Sequence, residues 1–231
     1  MVILALDTST PTGSVAVGRD GEVLLESLLA VRATHSEVVL PEIHRLLTGC
    51  GLEVSDLEAV VVGGGPGSFT GVRIAASLAK GICHARDLEL YSFSSLAAVA
   101  AGAGCEGLVC TMFDARRGQV YAAGYRVEGG VEEIFPPRAA SLGEVLEDLR
   151  EVEMWLFAGD GAGAGSDAIH AVGGRVLPEE TWVPRAGSLL RLVTLVPEEG
   201  RVVDPRTWEP RYVRLPAAQR ASGPDDGRAG G

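Results

Sequence analysis

The sequence lacks the features that mark several large classes of protein. No apolar run approaches the roughly 20 residues of a membrane-spanning helix. The opening residues MVILALD have no basic region and reach an acidic residue at Asp7. We therefore expect a first β-strand here and not a signal peptide, in a cytoplasmic protein without membrane contact.

Paired cysteines and excess basic charge are also missing. The four cysteines, Cys50, Cys83, Cys105 and Cys110, form no CxxC pair, which favours free thiols in a reducing compartment over a disulfide or zinc site. The net charge is −11, so the chain repels a phosphate backbone on average. Any role with RNA is expected to be shared with a more basic partner.

The apolar pattern predicts an α/β protein built from two copies of one unit. In each copy a strand ends in an aspartate, Asp7 or Asp114, before a glycine turn, and a later strand runs into glycines at Gly63 or Gly159. The predicted elements of the first copy are strands 2–6, 14–18 and 22–28, a helix over 36–48, a strand over 59–62, a helix over 71–85, a strand over 90–93 and a helix over 94–101. We predict duplicated βββαβ units in lobes 1–106 and 107–215, followed by a disordered tail over 216–231.

The segment GGGPGSFTGVR, residues 63 to 73, raises the question of a phosphate site. Its glycines follow a strand and precede a helix, so successive backbone N–H groups could bind an anion. A Walker A loop needs a lysine after the last glycine, where Val72 stands. A tight structural turn and a phosphate site both remain open at this point.

Several other residues are candidates for weak contact with a nucleotide. Asp7 and Asp114 could hold metal and phosphate between two lobes, or could be turn carboxylates. The full candidate set is Asp7, Ser9, Gly65, Gly67, Asp114, Gly159 and Asp160. No two histidines have HxxxH spacing, which argues against a metal site.

Small residues recur along the helix that follows the glycine segment. Gly71, Ala75, Ala79 and Cys83 are four residues apart, and Ala76 lies beside them. Such a stripe permits close approach of another element. That element is either the protein's own sheet or a helix of a partner subunit.

Taken in order, seven stretches resemble the motifs of the bacterial TsaB family across roughly residues 2 to 214. They are ILALDTSTPTGSVAV, THSEVVLPEI, GGGPGSFTGVRIAASLAKGI, YSFSSLAAVA, DARRGQVYAAGY, AGDGA and PRYVR. The resemblance implies the two-lobed actin, sugar-kinase and heat-shock-chaperone fold, which is ribonuclease H-like. It also implies an inactive paralogue of TsaD, the enzyme that transfers threonylcarbamoyl to the adenosine beside the anticodon.

The resemblance further implies a scaffold that binds TsaD through its first lobe, with TsaE joining in the presence of ATP, and it allows a homodimer. Contact with tRNA is expected to be indirect, and no cofactor is expected beyond weak nucleotide binding in the complex. The expected interface residues are His35, Val39, Ile43, Leu46, Gly71, Arg73, Ala75, Ala76 and Ala79. Ser95 and Val99 stand where TsaD has two metal-binding histidines. The alternative is an ATPase or small-molecule kinase that uses Asp7 and Asp114 with magnesium.

Overall fold

The chain folds around two five-stranded mixed β-sheets, one from each half of the sequence. The computed structural model describes residues 1–30, 35–150 and 154–213. The tail predicted over 216–231 lies outside the described residues. Among the described residues, no helix is both long and apolar enough to pass through a bilayer.

The first sheet has the strand order β3-β2-β1-β4-β5. Its strands are β1 (Val2–Asp7), β2 (Thr12–Arg19), β3 (Glu22–Ala30), β4 (Ala59–Gly63) and β5 (Glu89–Phe93). The first three strands are antiparallel neighbours, as the turn signals predict, and β4 and β5 run parallel to β1. The parallel strands β1 and β4 are buried along their whole length, which explains their continuous apolar sequence.

The second sheet repeats this arrangement, with the order β10-β9-β6-β7-β8. Its strands are β6 (Gly107–Asp114), β7 (Gln119–Val127), β8 (Val131–Ser141), β9 (Leu156–Ala158) and β10 (Arg175–Val176). Read from its other edge, the second sheet has the order β8-β7-β6-β9-β10. This order corresponds strand for strand to β3-β2-β1-β4-β5 in the first sheet. The predicted duplication is confirmed.

Eight α-helices lie among the described residues. They are α1 (His35–Gly49), α2 (Phe69–Arg86), α3 (Ser95–Ala101), α4 (Leu142–Asp148), α5 (Asp160–Ala164), α6 (Ser166–Ala171), α7 (Ala186–Leu195) and α8 (Pro197–Gly200). Helix α2 begins two residues before its predicted start because Ser68 is its N-cap and accepts a hydrogen bond from Gly71 N at 3.3 Å.

The two halves exchange helices across a shared core. Helix α3 belongs to the first half, yet it packs on β6, β7 and β8 of the second sheet. Helix α7 belongs to the second half and packs on β1, β2 and β4 of the first sheet. Side chains from both sheets and both helices form one buried apolar cluster. The boundary predicted near residue 106 separates the sheets, while these two helices cross it.

The outer face of the first sheet is covered by α1 and α2, and this packing uses the small-residue stripe. Ala75 and Ala79 have no exposed surface, and Gly71, Ala76 and Cys83 are also buried. They allow α2 to lie close to β4. Of the two elements that the stripe could meet, the described residues place it against the protein's own sheet, and the expected role of Gly71, Ala75, Ala76 and Ala79 at a partner interface stays a prediction.

The expected interface residues of α1 that are described also lie inside the protein. Val39, Ile43 and Leu46 are each at most 2% exposed and belong to the apolar cluster between α1, α2 and the sheet. The side chain of His35 lies outside the described part of the chain. Among the expected interface side chains that are described, Arg73 alone is exposed.

A larger side chain should affect the stability of the protein differently on the buried and the exposed face of α2. We expect Ala75→Leu to lower the free energy of unfolding by about 1–3 kcal/mol, because the added atoms have no space between helix and sheet. The matched change Ser77→Leu, at an exposed position of the same helix, should change it by no more than about 0.5 kcal/mol. Urea unfolding measures both values, and equal effects would show that the helix face is wrongly assigned.

Candidate functional site

The carboxylate of Asp7, at the end of β1, is fully enclosed by hydrogen-bond donors. Its Oδ1 accepts from Ser9 N at 2.7 Å and from Ser9 Oγ at 2.6 Å, and its Oδ2 accepts from Ser95 Oγ at 2.6 Å. Burial raises the pKa of the Asp7 carboxyl above its ordinary value, while the bonds from Ser9 and Ser95 lower it. Asp7 has no exposed surface and does not line the cleft between the two halves, so it is not positioned for contact with a nucleotide there.

Ser95 connects this carboxylate to the glycine segment. Gly65 N donates to Ser95 Oγ at 3.2 Å, and Ser95 N donates to Gly65 O at 2.9 Å. Val99, one helical turn further along α3, is also completely buried. A hydroxyl already bonded to Asp7 and an aliphatic side chain do not form a pair of metal ligands. The described residues therefore do not fit the metal expected at these positions in the catalytic paralogue.

The glycines of residues 63–71 make room for the chain itself. A Cβ on Gly63 would lie 1.8 Å from Asp7 Oδ2, and one on Gly71 would lie 1.9 Å from Thr8 O. Thr8 Oγ1 donates to Gly71 O at 2.6 Å, and Ser68 N donates to Ser9 O at 2.7 Å. The loop after β1 thus packs directly against the glycine turn, which favours the structural interpretation of this motif.

A central cleft of about 620 Å³ opens between the two halves of the chain. Of the seven candidate nucleotide-contact residues, Ser9, Gly67, Asp114 and Asp160 line it. Asp7, Gly65 and Gly159 do not. Gly159 has a φ of +104°, and a Cβ there would lie 2.0 Å from Met112 O, so its role is close packing against β6.

The two aspartates of the cleft are engaged by backbone groups. Asp114 Oδ1 accepts from Arg116 N at 2.7 Å, and Asp160 Oδ1 accepts from Asp114 N at 3.1 Å. Burial raises the pKa of the Asp160 carboxyl, backbone N–H groups lower it, and the charge of Asp114 raises it. Searching the described residues finds no group of three or more His, Cys, Asp or Glu side chains that could bind a metal ion.

Basic and aromatic side chains line the cleft beside these aspartates. Arg116 and Arg117, in the turn between β6 and β7, have φ values of 61° and 56°, an uncommon conformation outside glycine. Both line the cleft together with Arg211 and Tyr121. No local sequence pattern indicates that Arg116 and Arg117 lie beside Arg211, because this proximity depends on the pairing of the two halves.

A segment after α8 returns across the first half and reaches the cleft at residues 211–213. Arg211 N donates to Gly64 O at 3.0 Å, which holds this segment against the glycine turn. The Tyr212 ring lies 5.3 Å from the Phe69 ring, measured between centroids. The Arg73 guanidinium lies 4.1 Å from the Phe69 centroid and donates to Tyr212 Oη at 3.2 Å. These contacts form an aromatic and cationic stack where α2 meets the cleft.

Comparison with known proteins identifies close relatives of the chain. The family model described as "TsaD: tRNA N6-adenosine threonylcarbamoyltransferase" matches residues 29–161. The protein named tRNA threonylcarbamoyladenosine biosynthesis protein TsaB of Bacillus subtilis is 35% identical, with 95% of this chain and 96% of that protein covered. The Escherichia coli protein of the same name is 34% identical, with coverages of 93% and 95%.

Solved structures agree on the fold. A crystal structure from Pseudomonas aeruginosa, described as similar to peptidase YEAZ, has a TM-score of 0.81 at 29% identity and covers 92% of this chain and 99% of that chain. The activator of 2-hydroxyisocaproyl-CoA dehydratase from Clostridium difficile has a TM-score of 0.52 at 10% identity and covers 86% of this chain and 95% of that one. The second likeness shows the fold alone. The actin-like, sugar-kinase fold expected from the sequence is confirmed.

The buried Asp7 carboxylate predicts a characteristic dependence of stability on pH. Because folding raises the pKa of this carboxyl above 3.8, the folded state binds its proton more tightly than the unfolded state does. The stability of the wild type should therefore fall relative to that of Asp7→Asn as the pH rises above 3.8 through the raised value. Urea unfolding of both proteins over a pH series measures this difference. A relative gain in wild-type stability with rising pH would show that the charged carboxylate is stabilised, for example by a cation.

Proposed function

The chain belongs to the TsaB family of tRNA threonylcarbamoyladenosine biosynthesis proteins, and we propose that it serves this pathway as a non-catalytic subunit that binds TsaD. The observation that carries the proposal is a stripe of small, uncharged residues on the outer face of α2, at Ser77, Gly81 and Ala85, which the other described elements leave exposed. The subunit supports the threonylcarbamoyl transfer that TsaD performs and does not itself carry out the reaction.

Three features around the glycine turn support the absence of catalysis. Asp7 is buried, and its two carboxylate oxygens are already occupied by Ser9 and Ser95. Ser95 and Val99 stand at the expected metal positions and are enclosed in the core. The glycine turn is filled by the loop after β1. Each of these positions is used for packing or for internal hydrogen bonds.

The outward face of α2 supports docking on a partner. Ser77, Gly81 and Ala85 are exposed, and the larger side chains Ile74 and Leu78 are half-buried beside them. These positions recur at helical spacing on the side opposite the sheet, and none carries a charge. A helix with apolar or small residues on both faces is expected to pack against other structural elements on both faces. Small exposed residues at this spacing allow a second helix to pack closely.

Helix α1 extends this surface because it lies beside α2 on the same side of the first sheet. Leu40 is 55% exposed, and Pro41 and His44 are exposed on the same helix. We therefore assign the partner surface to the outer faces of α1 and α2, in place of the buried residues expected from the sequence. A stable contact with TsaD would bury on the order of 1,200–2,000 Å².

The remaining assignments follow from the same proposal. TsaE joins the complex of this chain with TsaD when ATP is present, and without TsaD the same surface supports a homodimer. The subunit needs no cofactor of its own, and any nucleotide contact in the complex is weak. A tRNA-modifying complex of this kind acts in the cytoplasm.

The geometry does not favour the ATPase or kinase alternative. In that alternative Asp7 and Asp114 hold magnesium together, yet Asp7 is enclosed and only Asp114 lines the cleft. ATP turnover by the isolated chain that Asp7→Asn abolishes would support the alternative over the scaffold.

Gly81→Arg provides a direct test of the partner surface. Gly81 lies on the exposed face of α2, and a Cβ there would meet only open space, so arginine fits without disturbing the fold. We expect the variant to lose co-purification with TsaD, because a long charged side chain prevents close helix packing. Size-exclusion chromatography of the mixed proteins measures the loss.

Gly143→Arg is the matched control. Gly143 is also an exposed helical glycine with open space around its Cβ, but it lies on α4 of the second half. This variant should bind TsaD as the wild type does, and both variants should keep the wild-type circular dichroism and melting temperature. Retained TsaD binding by a folded Gly81→Arg protein would refute the α2 surface.

A further inference from the structure

The arginines of the central cleft lack acidic partners. Arg116, Arg117 and Arg211 all line the cleft, and none of them has a carboxylate within salt-bridge distance among the described residues, in contrast to Arg45, Arg126, Arg138, Arg150, Arg185 and Arg201. In a chain of net charge −11, three such side chains on one cleft are a local reversal of the overall charge.

The acidic residues of the cleft do not cancel this charge. Asp114 and Asp160 also line it, but one carboxylate oxygen of each is already bonded to a backbone N–H group. Three guanidinium groups face two carboxylates, so the cleft has a positive balance even before Arg73 is counted at its edge. Guanidinium groups bind phosphate through paired hydrogen bonds.

Aromatic rings accompany the arginines on both walls. Tyr121 lies on the wall formed by β7 of the second half, and Phe69 and Tyr212 lie on the wall formed by the start of α2 and the C-terminal segment. A cationic groove that also carries aromatic rings is an arrangement by which proteins bind single-stranded nucleic acid, with the phosphates on the cations and the bases on the rings.

We propose that the central cleft contacts a single-stranded RNA loop directly, with Arg116, Arg117 and Arg211 on its phosphates and an aromatic ring stacked on a base. This inference rests on the proposed function, because a subunit in tRNA modification meets the loop of its substrate. The net charge of the whole chain predicts only indirect contact with RNA. The cleft, however, carries more positive than negative side chains, unlike the chain as a whole.

A free mononucleotide fits the cleft less well than an RNA loop does. The three arginines are exposed around an open rim, where they can follow an extended backbone. The buried carboxylate of Asp7 accepts hydrogen bonds from Ser9 and Ser95. It is therefore not available to a bound phosphate or to the cation of that phosphate.

The double variant Arg116→Asn/Arg117→Asn tests the proposal, since asparagine tolerates the left-handed backbone of this turn. Fluorescence anisotropy of a fluorescein-labelled anticodon stem–loop RNA, titrated with the full chain at low salt, reports binding. The variant should bind about tenfold more weakly, and the slope of log affinity against log salt should fall by about 1.5. The control Arg175→Asn/Arg206→Asn makes the same change in net charge at two exposed arginines outside the cleft and should stay within about twofold of the wild type.

Tyr212→Leu separates stacking from charge, because it leaves the net charge unchanged and should weaken binding about tenfold. The proposal is overturned if the wild type does not bind the RNA at low salt, or if both arginine pairs weaken binding equally. It is also overturned if Tyr212→Leu binds as the wild type does, or if AMP binds as tightly as the RNA. Co-purification of Arg116→Asn/Arg117→Asn with TsaD is measured in parallel, so that loss of RNA binding with retained TsaD binding is distinguished from failure of the scaffold.

Discussion

The hydrogen bonds of the Asp7 carboxylate are the constraint on which the rest of this structure depends. They join the end of β1 to the start of α3. Ser95 also accepts a hydrogen bond from Gly65 N, which joins both elements to the glycine turn after β4. A buried carboxylate without such donors would cost several kcal/mol, so Asp7, Ser9 and Ser95 must be kept together. Because the loop after β1 is drawn against the turn, Gly63 and Gly71 have no room for a side chain. The glycines of this turn therefore serve the close packing of two segments of the protein's own chain.

Helix α2 could be predicted from the sequence, but the face that it buries could not. Its existence and its small-residue pattern follow from local rules, as do the strands and their duplication. The buried face could not be assigned, because small residues recur on both sides of the helix: Ala75 and Ala79 face the sheet, while Ser77 and Gly81 face outward. Spacing alone does not distinguish a helix packed on its own sheet from one that also meets a partner.

The candidate site was predictable only in part, for a related reason. Asp7 and Asp114 were recognisable as strand-end carboxylates, but their different surroundings depend on contacts between distant segments. Ser95 lies 88 residues from Asp7, and no local pattern indicates that its hydroxyl completes the carboxylate's coordination. Whether Arg116 is paired or free depends likewise on where every acidic side chain falls in the folded chain. Unpaired charge is a property of the tertiary structure, whereas net charge can be read from composition.

The two proposed surfaces share one rigid element, and this limits how they can communicate. Helix α2 has its N-terminus at the cleft and its outer face toward the partner, and its 18 residues span about 27 Å. The C-terminal segment ties both regions to it, since Lys80 Nζ donates to Trp208 O at 2.8 Å and Arg73 donates to Tyr212. The core shared by α3 and α7 also joins the two walls of the cleft. A partner bound to the outer face of α2 would therefore be connected through this helix and the C-terminal segment to the wall of the cleft where the proposed RNA contact lies.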